Sequence, residues 1–126
     1  MHVSYEKMTI ITDQRGFVFE LLSTEEFALQ RNAHIVISLP GVVRGNHYHM
    51  TGKETIAVLG PSLVRFRENE KIKDVVIPVK EAWRFVFSPG VSHAIKNLDQ
   101  KANILVAFNT REHDPANPDT IADVLI

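Results

Sequence analysis

The 126 residues are 44% hydrophobic and carry a net charge of −1, so we expect one domain, residues 1–126, with a single core. The near-neutral charge argues against nucleic acid and anionic membranes as partners. With no cysteine, the chain has neither disulfides nor thiolate ligands, and any metal would be held by nitrogen and oxygen. It has no cationic start followed by an apolar run and no apolar run near the about 20 residues of a membrane span, so we expect a cytoplasmic protein.

Short apolar or alternating runs separated by Gly, Pro, Asn and Asp predict a succession of strands. In chain order the predicted strands are Met8–Ile11, Phe17–Leu22, Ala33–Leu39, Val42–His49, Thr55–Leu59, Ser62–Arg67, Lys73–Ile77, Trp83–Phe87, Ala94–Asn97 and Ala102–Asn109. One short helix is predicted over Thr24–Gln30, with Ser23 or Thr24 as its N-cap. The proline-rich tail His113–Thr120 is expected to wrap the surface. Many short strands with regular turns are typical of a sandwich or barrel, so the predicted fold class is all-β.

A pair of histidines in one predicted strand is the strongest chemical signal. His47 and His49 are two residues apart, and side chains with that spacing in a strand point to the same face. Glu54 follows across a short turn, and His93 lies near a later strand. Three imidazoles and one carboxylate form a typical ligand set for a divalent cation. We therefore predict a metal site made of these four residues, with zinc favoured and nickel, manganese or iron as alternatives.

Regular alternation along the same strand predicts which neighbours share the metal face. It places Arg44 and Tyr48 on the face opposite the two histidines, unless Gly45 marks a β-bulge. Three further histidines have no partners in the sequence, and we interpret them as structural or exposed: His2, His34 and His113.

These spacings resemble the two motifs of the cupin superfamily. The first, Gly-x5-His-x-His-x4-Glu-x5-Gly, is matched by Gly41, His47, His49, Glu54 and Gly60. The second is matched at Gly90, His93 and Asn97, although Ala82 and Ser88 replace a usual glycine and proline. The resemblance implies a jelly-roll barrel, the double-stranded β-helix of two antiparallel sheets. It does not identify the reaction, since one fold serves many functions.

Two segments resemble signatures of the 4-keto-6-deoxy sugar nucleotide 3,5-epimerases. Asp13-Gln-Arg-Gly-Phe-Val-Phe-Glu20 is similar to their Asp-x-Arg-Gly-Phe-x-x-Glu, and Gly41-Val-Val-Arg-Gly-Asn-His-Tyr48 to their Gly-Val-Leu-Arg-Gly-Leu-His-Tyr. The resemblance implies that Arg15 and Arg44 bind the diphosphate, a role suited to the planar guanidinium group. It also implies that Glu20 positions the substrate and that His47 is the general base. In that family the segment matching Arg15 and Glu20 enters the neighbouring subunit's pocket, which implies a homodimer.

Residues 11–126 further resemble the C-terminal cupin domain of bifunctional capsule enzymes. These enzymes epimerise C3 of a UDP-linked N-acetyl 4-keto-6-deoxy sugar and reduce C4 in a separate domain. The shared features are Gly-Asn-His-x-His-x4-Glu, Arg65-Phe-Arg67 and the tail Asp114-Pro-x-x-Pro-Asp-Thr120. By this resemblance Arg65, Arg67 and Asn97 are candidate substrate-binding residues. No Gly-x-Gly-x-x-Gly occurs, so we expect no nicotinamide chemistry.

The implied roles of His47 conflict, because a histidine that binds metal is not a free base. The late strand Ala102–Asn109 also lacks the tyrosine acid of the 3,5-epimerases, which favours epimerisation at one carbon or isomerisation. The predicted function is therefore metal-dependent epimerisation of a nucleotide-linked 4-keto-6-deoxy sugar at C3, in surface polysaccharide biosynthesis. Tyr48, Lys53 or a hydroxide held by the metal are the remaining candidates for the base.

Three other functions stay open. Sugar nucleotide 3,4-ketoisomerases share Arg-Gly-x-His-x-His but work without metal and usually lack the glutamate, so Glu54 argues against them. A mononuclear iron dioxygenase uses similar ligands but needs an apolar pocket and has no use for Arg15 and Arg44. A non-catalytic sugar-binding cupin would keep the binding residues alone.

Overall fold

The computed structural model describes residues 2–126, which form twelve strands and one short helix. The strands are β1 (Val3–Lys7), β2 (Ile11–Asp13), β3 (Gly16–Val18), β4 (Asn32–Ser38), β5 (Val43–His49), β6 (Glu54–Leu59), β7 (Ser62–Glu68), β8 (Lys71–Ile77), β9 (Ala82–Phe87), β10 (His93–Asn97), β11 (Asn103–Asn109) and β12 (Thr120–Ala122). The helix α1 is Thr24–Ala28. Among residues 2–126 no helix is long and apolar enough to cross a bilayer.

Two antiparallel sheets of five strands each make up the domain, and β2 and β3 form a separate hairpin. The first sheet has the strand order β1-β9-β6-β11-β4, and the second has the order β12-β5-β10-β7-β8. The predicted all-β class and the cupin fold are confirmed. The sheets do not close into a continuous barrel, because β4 pairs with β11 alone among the described strands. One edge of β4 is therefore open beside the second sheet.

The hydrophobic core fills the space between the two sheets. Val58 and Phe85 from the first sheet meet Val64 and Phe66 from the second, and none of these four side chains retains exposed surface. Removing one such side chain from water contributes about 1.5–3 kcal/mol. In β7 the buried residues alternate with half-buried ones, as a strand covered on one face requires. The core thereby holds in place the strands that carry the candidate ligands.

The helix has the cap that the sequence predicts. Ser23 Oγ accepts a hydrogen bond from the Glu26 N–H (3.1 Å), and Glu26 Oε1 accepts one from the Ser23 N–H (2.9 Å), which forms a capping box. The helix ends at Ala28 and Leu29 caps it, so the predicted end at Gln30 is two residues too late.

Both termini of the chain differ from the prediction. Val3–Lys7 forms β1, which the sequence did not predict, whereas the predicted strand Met8–Ile11 is largely irregular. At the other end Thr120–Ala122 pairs with β5 as an edge strand. The prolines before it exclude a central position but not an edge, because a proline cannot donate a ladder hydrogen bond.

Candidate functional site

A β-bulge in β5 decides which side chains face the interior. Gly45 and Asn46 have φ angles of 91° and 56°, and Asn46 is the extra residue, since His47 lies opposite His93 and Gly45 opposite Ala94. Position 45 needs glycine for two reasons. Its φ is positive, and a Cβ there would lie 2.7 Å from the carbonyl oxygen of His93.

The bulge turns Arg44 to the same face as the candidate ligands. Arg44 lies opposite Ile95, which is buried in the core, and both residues line one cavity with His47. Regular alternation would place Arg44 on the other face, but the exception that the sequence allowed, a bulge at Gly45, applies, because the extra residue reverses the alternation before it. Tyr48 lies beyond the bulge, pairs with Ile121 of β12 and stays on the opposite face, as predicted.

The four predicted ligands converge at one point between the sheets. The ligand atoms of His47, His49, Glu54 and His93 all lie within 4.8 Å of one another. β5 supplies two histidines, and β10 begins with the third. Glu54 begins β6 in the facing sheet. The cluster thus joins both halves of the sandwich.

The cluster has the properties of a metal site. Nε2 of His49 is 2.8 Å from Oε2 of Glu54, and Nε2 of His93 is 3.3 Å from Oε1. Yet both nitrogens are buried without a hydrogen bond of acceptable geometry. A buried polar atom without a partner is costly, and a cation shared with the carboxylate would satisfy both nitrogens. Three imidazole nitrogens and one carboxylate suit zinc and other first-row divalent ions.

The surroundings of His47 and Glu54 favour the protonation states that bind metal. Burial, together with the neighbouring His93 and His49, lowers the pKa of His47 to about 4. Burial alone would raise the pKa of Glu54, but its contacts with His49 and His93 outweigh this and hold that pKa well below the usual range. Neutral imidazoles and an ionised carboxylate are the forms that coordinate a metal.

One hydrogen bond from outside the cluster orients His93, and a carboxylate lies near His49. Nδ1 of His93 donates to the carbonyl oxygen of Val91 at 3.0 Å, which leaves Nε2 as the ligand atom. Nδ1 of His49 lies 3.7 Å from Oδ2 of Asp119. The Asp119 carboxylate also accepts hydrogen bonds from the Gly52 N–H (2.8 Å) and from Arg111 Nη1 (2.7 Å). It therefore ties the C-terminal tail to the loop before the ligand on β6.

Two cavities adjoin the cluster. The first, about 340 Å³, lies against the tail and is lined by Asn32, His34, His47, His49, Glu54, Asn109, residues 111–114 and residues 117–120. The second, about 260 Å³, lies between the sheets and is lined by His34, Val36, Arg44, Gly45, His47, Glu54, Ile56, His93, Ile95, Leu105 and Ala107. His34 and His113 are exposed, in line with their interpretation as structural or exposed, and both also line a cavity. No spacing pattern pointed to His34, Arg111 or Asp119, which lie on other strands or in the tail.

The hairpin residues do not reach the cluster within one chain. Arg15 is 90% exposed in the side chain and hydrogen-bonds Asp13 within the β2–β3 hairpin. Glu20 is also exposed and lines neither cavity at the cluster. Within one chain neither residue lines a cavity at the cluster.

Four further candidates lie away from the cavities. Arg65 and Arg67 are on the outer face of β7, where Arg65 binds Asp74 (2.7 and 2.9 Å) and Arg67 pairs with Asp123. Lys53 is exposed and, like Tyr48, lines neither cavity.

Asn97 is buried, and its side-chain amide is already occupied. Nδ2 donates to the carbonyl oxygens of Ser38 (3.0 Å) and Lys101 (2.9 Å), and Oδ1 accepts from the Asp99 N–H (2.9 Å). With its donors and acceptor taken, Asn97 holds the turn after β10 instead of presenting a group to a ligand.

Comparison with solved structures finds the same fold in enzymes and assembly proteins of sugar metabolism. The capsular polysaccharide assembling protein CapF from Staphylococcus aureus is 26% identical with a TM-score of 0.68, over 94% of this chain and 34% of that one. QdtA, a sugar 3,4-ketoisomerase from Thermoanaerobacterium thermosaccharolyticum solved with TDP, is 14% identical with a TM-score of 0.72, over 96% and 88%. ChmJ, a 3'-monoepimerase from Streptomyces bikiniensis solved with dTDP-quinovose, is 20% identical with a TM-score of 0.74, over 95% and 68%.

The chain spans about a third of the CapF chain. A search of curated proteins gave no match. Residues 11–121, however, match the family described as the polysaccharide biosynthesis C-terminal domain. Since this match covers most of the sequence, including the hairpin and all four clustered residues, the chain belongs to the polysaccharide biosynthesis C-terminal domain family.

Proposed function

We propose that this protein is a metal-dependent isomerase that epimerises a nucleotide-linked 4-keto-6-deoxy sugar at C3, the carbon next to the ketone, in surface polysaccharide biosynthesis. The observation that carries the proposal is the convergence of four ligand atoms within 4.8 Å at the junction of two cavities. The family description and the likeness to CapF and ChmJ support the pathway and the kind of substrate.

In this proposal His47, His49, Glu54 and His93 hold a divalent cation, with zinc favoured. The cation would act as a Lewis acid toward the charge that develops on the ketone oxygen when the neighbouring proton leaves. The protein's own contribution is a cluster of three imidazoles and one carboxylate that strands of both sheets hold in place.

The second cavity suits the proposed sugar. Ile56, Ile95 and Leu105 form an apolar wall on which the methyl group of a 6-deoxy sugar can pack. Arg44 lines the same cavity, and its Nη2 donates to the carbonyl oxygen of Ile37 at 2.8 Å. A diphosphate would be a stronger acceptor for this guanidinium than a neutral carbonyl, because the hydrogen bond would join opposite charges.

In this proposal Arg15 and Glu20 contact the substrate bound by the other subunit of a homodimer. The hairpin that carries Arg15 exposes the apolar side chains of Ile11 (72%) and Val18 (58%) as well as the guanidinium group. A second copy would cover this apolar surface and receive both polar residues at its cavity.

Elemental analysis of the untagged protein, followed by an assay in D₂O, tests the proposal. We expect stoichiometric zinc or another divalent metal, and deuterium at C3 of UDP- or dTDP-linked 4-keto-6-deoxy sugars together with inversion of that carbon. Movement of the ketone from C4 to C3 would identify a 3,4-ketoisomerase instead. Bound iron would favour the dioxygenase. Nucleotide-sugar binding without any proton exchange by the metal-loaded protein would identify a binding cupin.

A further inference from the structure

His34 occupies a distinctive position between the two cavities. Three residues line both of them: His47, Glu54 and His34. The first two are candidate metal ligands, so His34 is the titratable group that borders both cavities and is free for other chemistry, among residues 2–126. It lies near the middle of β4, a regular strand with one open edge.

The register of β4 fixes the direction of the His34 side chain. His34 lies opposite Ala107, and Ala107 lies opposite Ile56 in the next strand of the sheet. Ala107 and Ile56 are buried in the core, so this row of side chains points between the two sheets. Alanine is small, and its place beside His34 leaves room for a ligand next to the imidazole.

A hydrogen bond defines the tautomer of His34. Its Nδ1 lies 3.1 Å from Oδ1 of Asn32, an atom that can only accept a hydrogen bond. In the neutral ring this hydrogen bond places the proton on Nδ1 and the lone pair on Nε2. Within residues 2–126, Nε2 of His34 has no hydrogen-bond partner. An oriented imidazole with a free lone pair is the commonest general base in enzymes.

We infer that His34 is the catalytic residue that removes the C3 proton, an assignment that rests on the proposed epimerase function. The C3–H bond breaks, the proton goes to Nε2, and the electron pair becomes the C3–C4 double bond of an enolate. A water molecule then gives a proton to the opposite face of C3 as the C4 ketone re-forms. His34 returns its proton to the resulting hydroxide, so the protein and the water are regenerated.

The other candidates for this role are less well placed. Tyr48 and Lys53 line neither cavity. Glu112, His113 and Asp114 line only the first cavity and belong to the irregular tail, whereas His34 is held by a strand.

The test compares His34→Asn with His2→Asn, a matched change of an exposed histidine outside both cavities. Metal content, melting temperature, kcat and KM are measured with C3-protiated and C3-deuterated substrates. We expect His34→Asn to keep its metal and melting temperature and its KM, to lose about 10²–10⁴-fold in kcat, and to show a larger deuterium isotope effect. The His2→Asn variant should behave as the wild type. If His34→Asn does not fold, the same measurements are made on His34→Gln.

Two results would overturn the inference while leaving the epimerase proposal intact. One is a His34 variant whose kcat stays within about threefold of the wild type, because the loss of a general base lowers kcat by much more than that. The other is loss of metal from the variant, which would make His34 part of the metal site. A wild-type protein that exchanges no proton on any 4-keto sugar nucleotide would overturn both proposals together.

Discussion

The imidazole of His93 lies flat on the ring of Phe87, with the ring centroids 4.2 Å apart and the planes within 4° of each other. Phe87 also lies directly opposite Glu54 in the pairing of β9 with β6. The same buried residue thus stacks on one candidate ligand, His93, and pairs across strands with another, Glu54, which lies in the other sheet. The packing of the core and the geometry of the candidate metal site are therefore physically coupled.

Phe87→Leu tests this coupling. The substitution keeps an apolar side chain but removes the stacked ring, and we expect a loss of about 1–2 kcal/mol in the free energy of unfolding. We also expect weaker metal binding, by about tenfold, because a support of the ligand is lost. Urea unfolding and metal competition measure the two effects. Phe17→Leu, in the exposed hairpin, is the control and should change stability by about 0.5 kcal/mol or less.

His49→Ala tests the ligand set. The variant should lose stoichiometric metal, and a chelator should no longer lower its melting temperature, because metal that binds only the folded state stabilises it by mass action. At a metal concentration of 100 times Kd this effect is about 2.7 kcal/mol in the wild type. His113→Ala, from the cavity rim, should retain the metal. A His49→Ala protein with full metal content would disprove the four-ligand site.

Gly45→Ala tests the bulge. At φ +91° a side chain is strained, and the added Cβ would lie 2.7 Å from the His93 carbonyl oxygen, so we expect a loss of about 2–3 kcal/mol. Gly41→Ala is the matched control, since φ is +74° but nothing lies within 4 Å. It should cost about 1–2 kcal/mol, from the backbone conformation alone. If both variants lowered the melting temperature equally, the close approach of the added Cβ to the His93 carbonyl oxygen would make no contribution to the free energy of unfolding.

Arg44→Ala and Arg65→Ala separate the inner from the outer arginine. Loss of Arg44 removes a guanidinium group from the cavity, so KM for the nucleotide sugar should rise by about tenfold with a smaller effect on kcat. Arg65 points outward and is paired with Asp74, so its loss should leave KM unchanged within about twofold. A rise in KM for Arg65→Ala alone would restore the role that the sequence motif suggested for it.

The acid dependence of stability tests Asp119. Burial would raise the pKa of its carboxyl, but hydrogen bonds from Gly52 and Thr51 and the nearby Arg111 hold that pKa below its usual range. A lowered native pKa stabilises the fold above the unfolded value of about 3.9, and this contribution disappears as the pH falls through the native pKa. We expect Asp119→Asn to be less stable at pH 7 and to lose less stability on acidification. Urea unfolding of the chelated protein between pH 3 and 7 measures this, with the exposed Glu70→Gln as control.

Local chemistry in the sequence was enough for several features. Ser23 is one of the two predicted N-caps, and the helix begins directly after it. The alternating runs from β4 to β11 predict strands because each run must bury one face. The spacing of His47, His49, Glu54 and His93 predicts a cluster, and the structure brings these four residues together.

Pairing between strands that are distant in the sequence decided which other side chains face the cluster. The side of β5 on which Arg44 lies depends on a bulge seated against His93, and the place of His34 depends on its register with Ala107. Asn97 looked like a ligand contact because its motif position does not reveal that Ser38 and Lys101 already accept its hydrogens. The sequence by itself therefore determined the strands from β4 to β11 and the four residues of the cluster, which follow from local periodicity and spacing. Only the tertiary structure decided which other groups face the cluster, because one shifted residue in a strand moves a side chain to the opposite face.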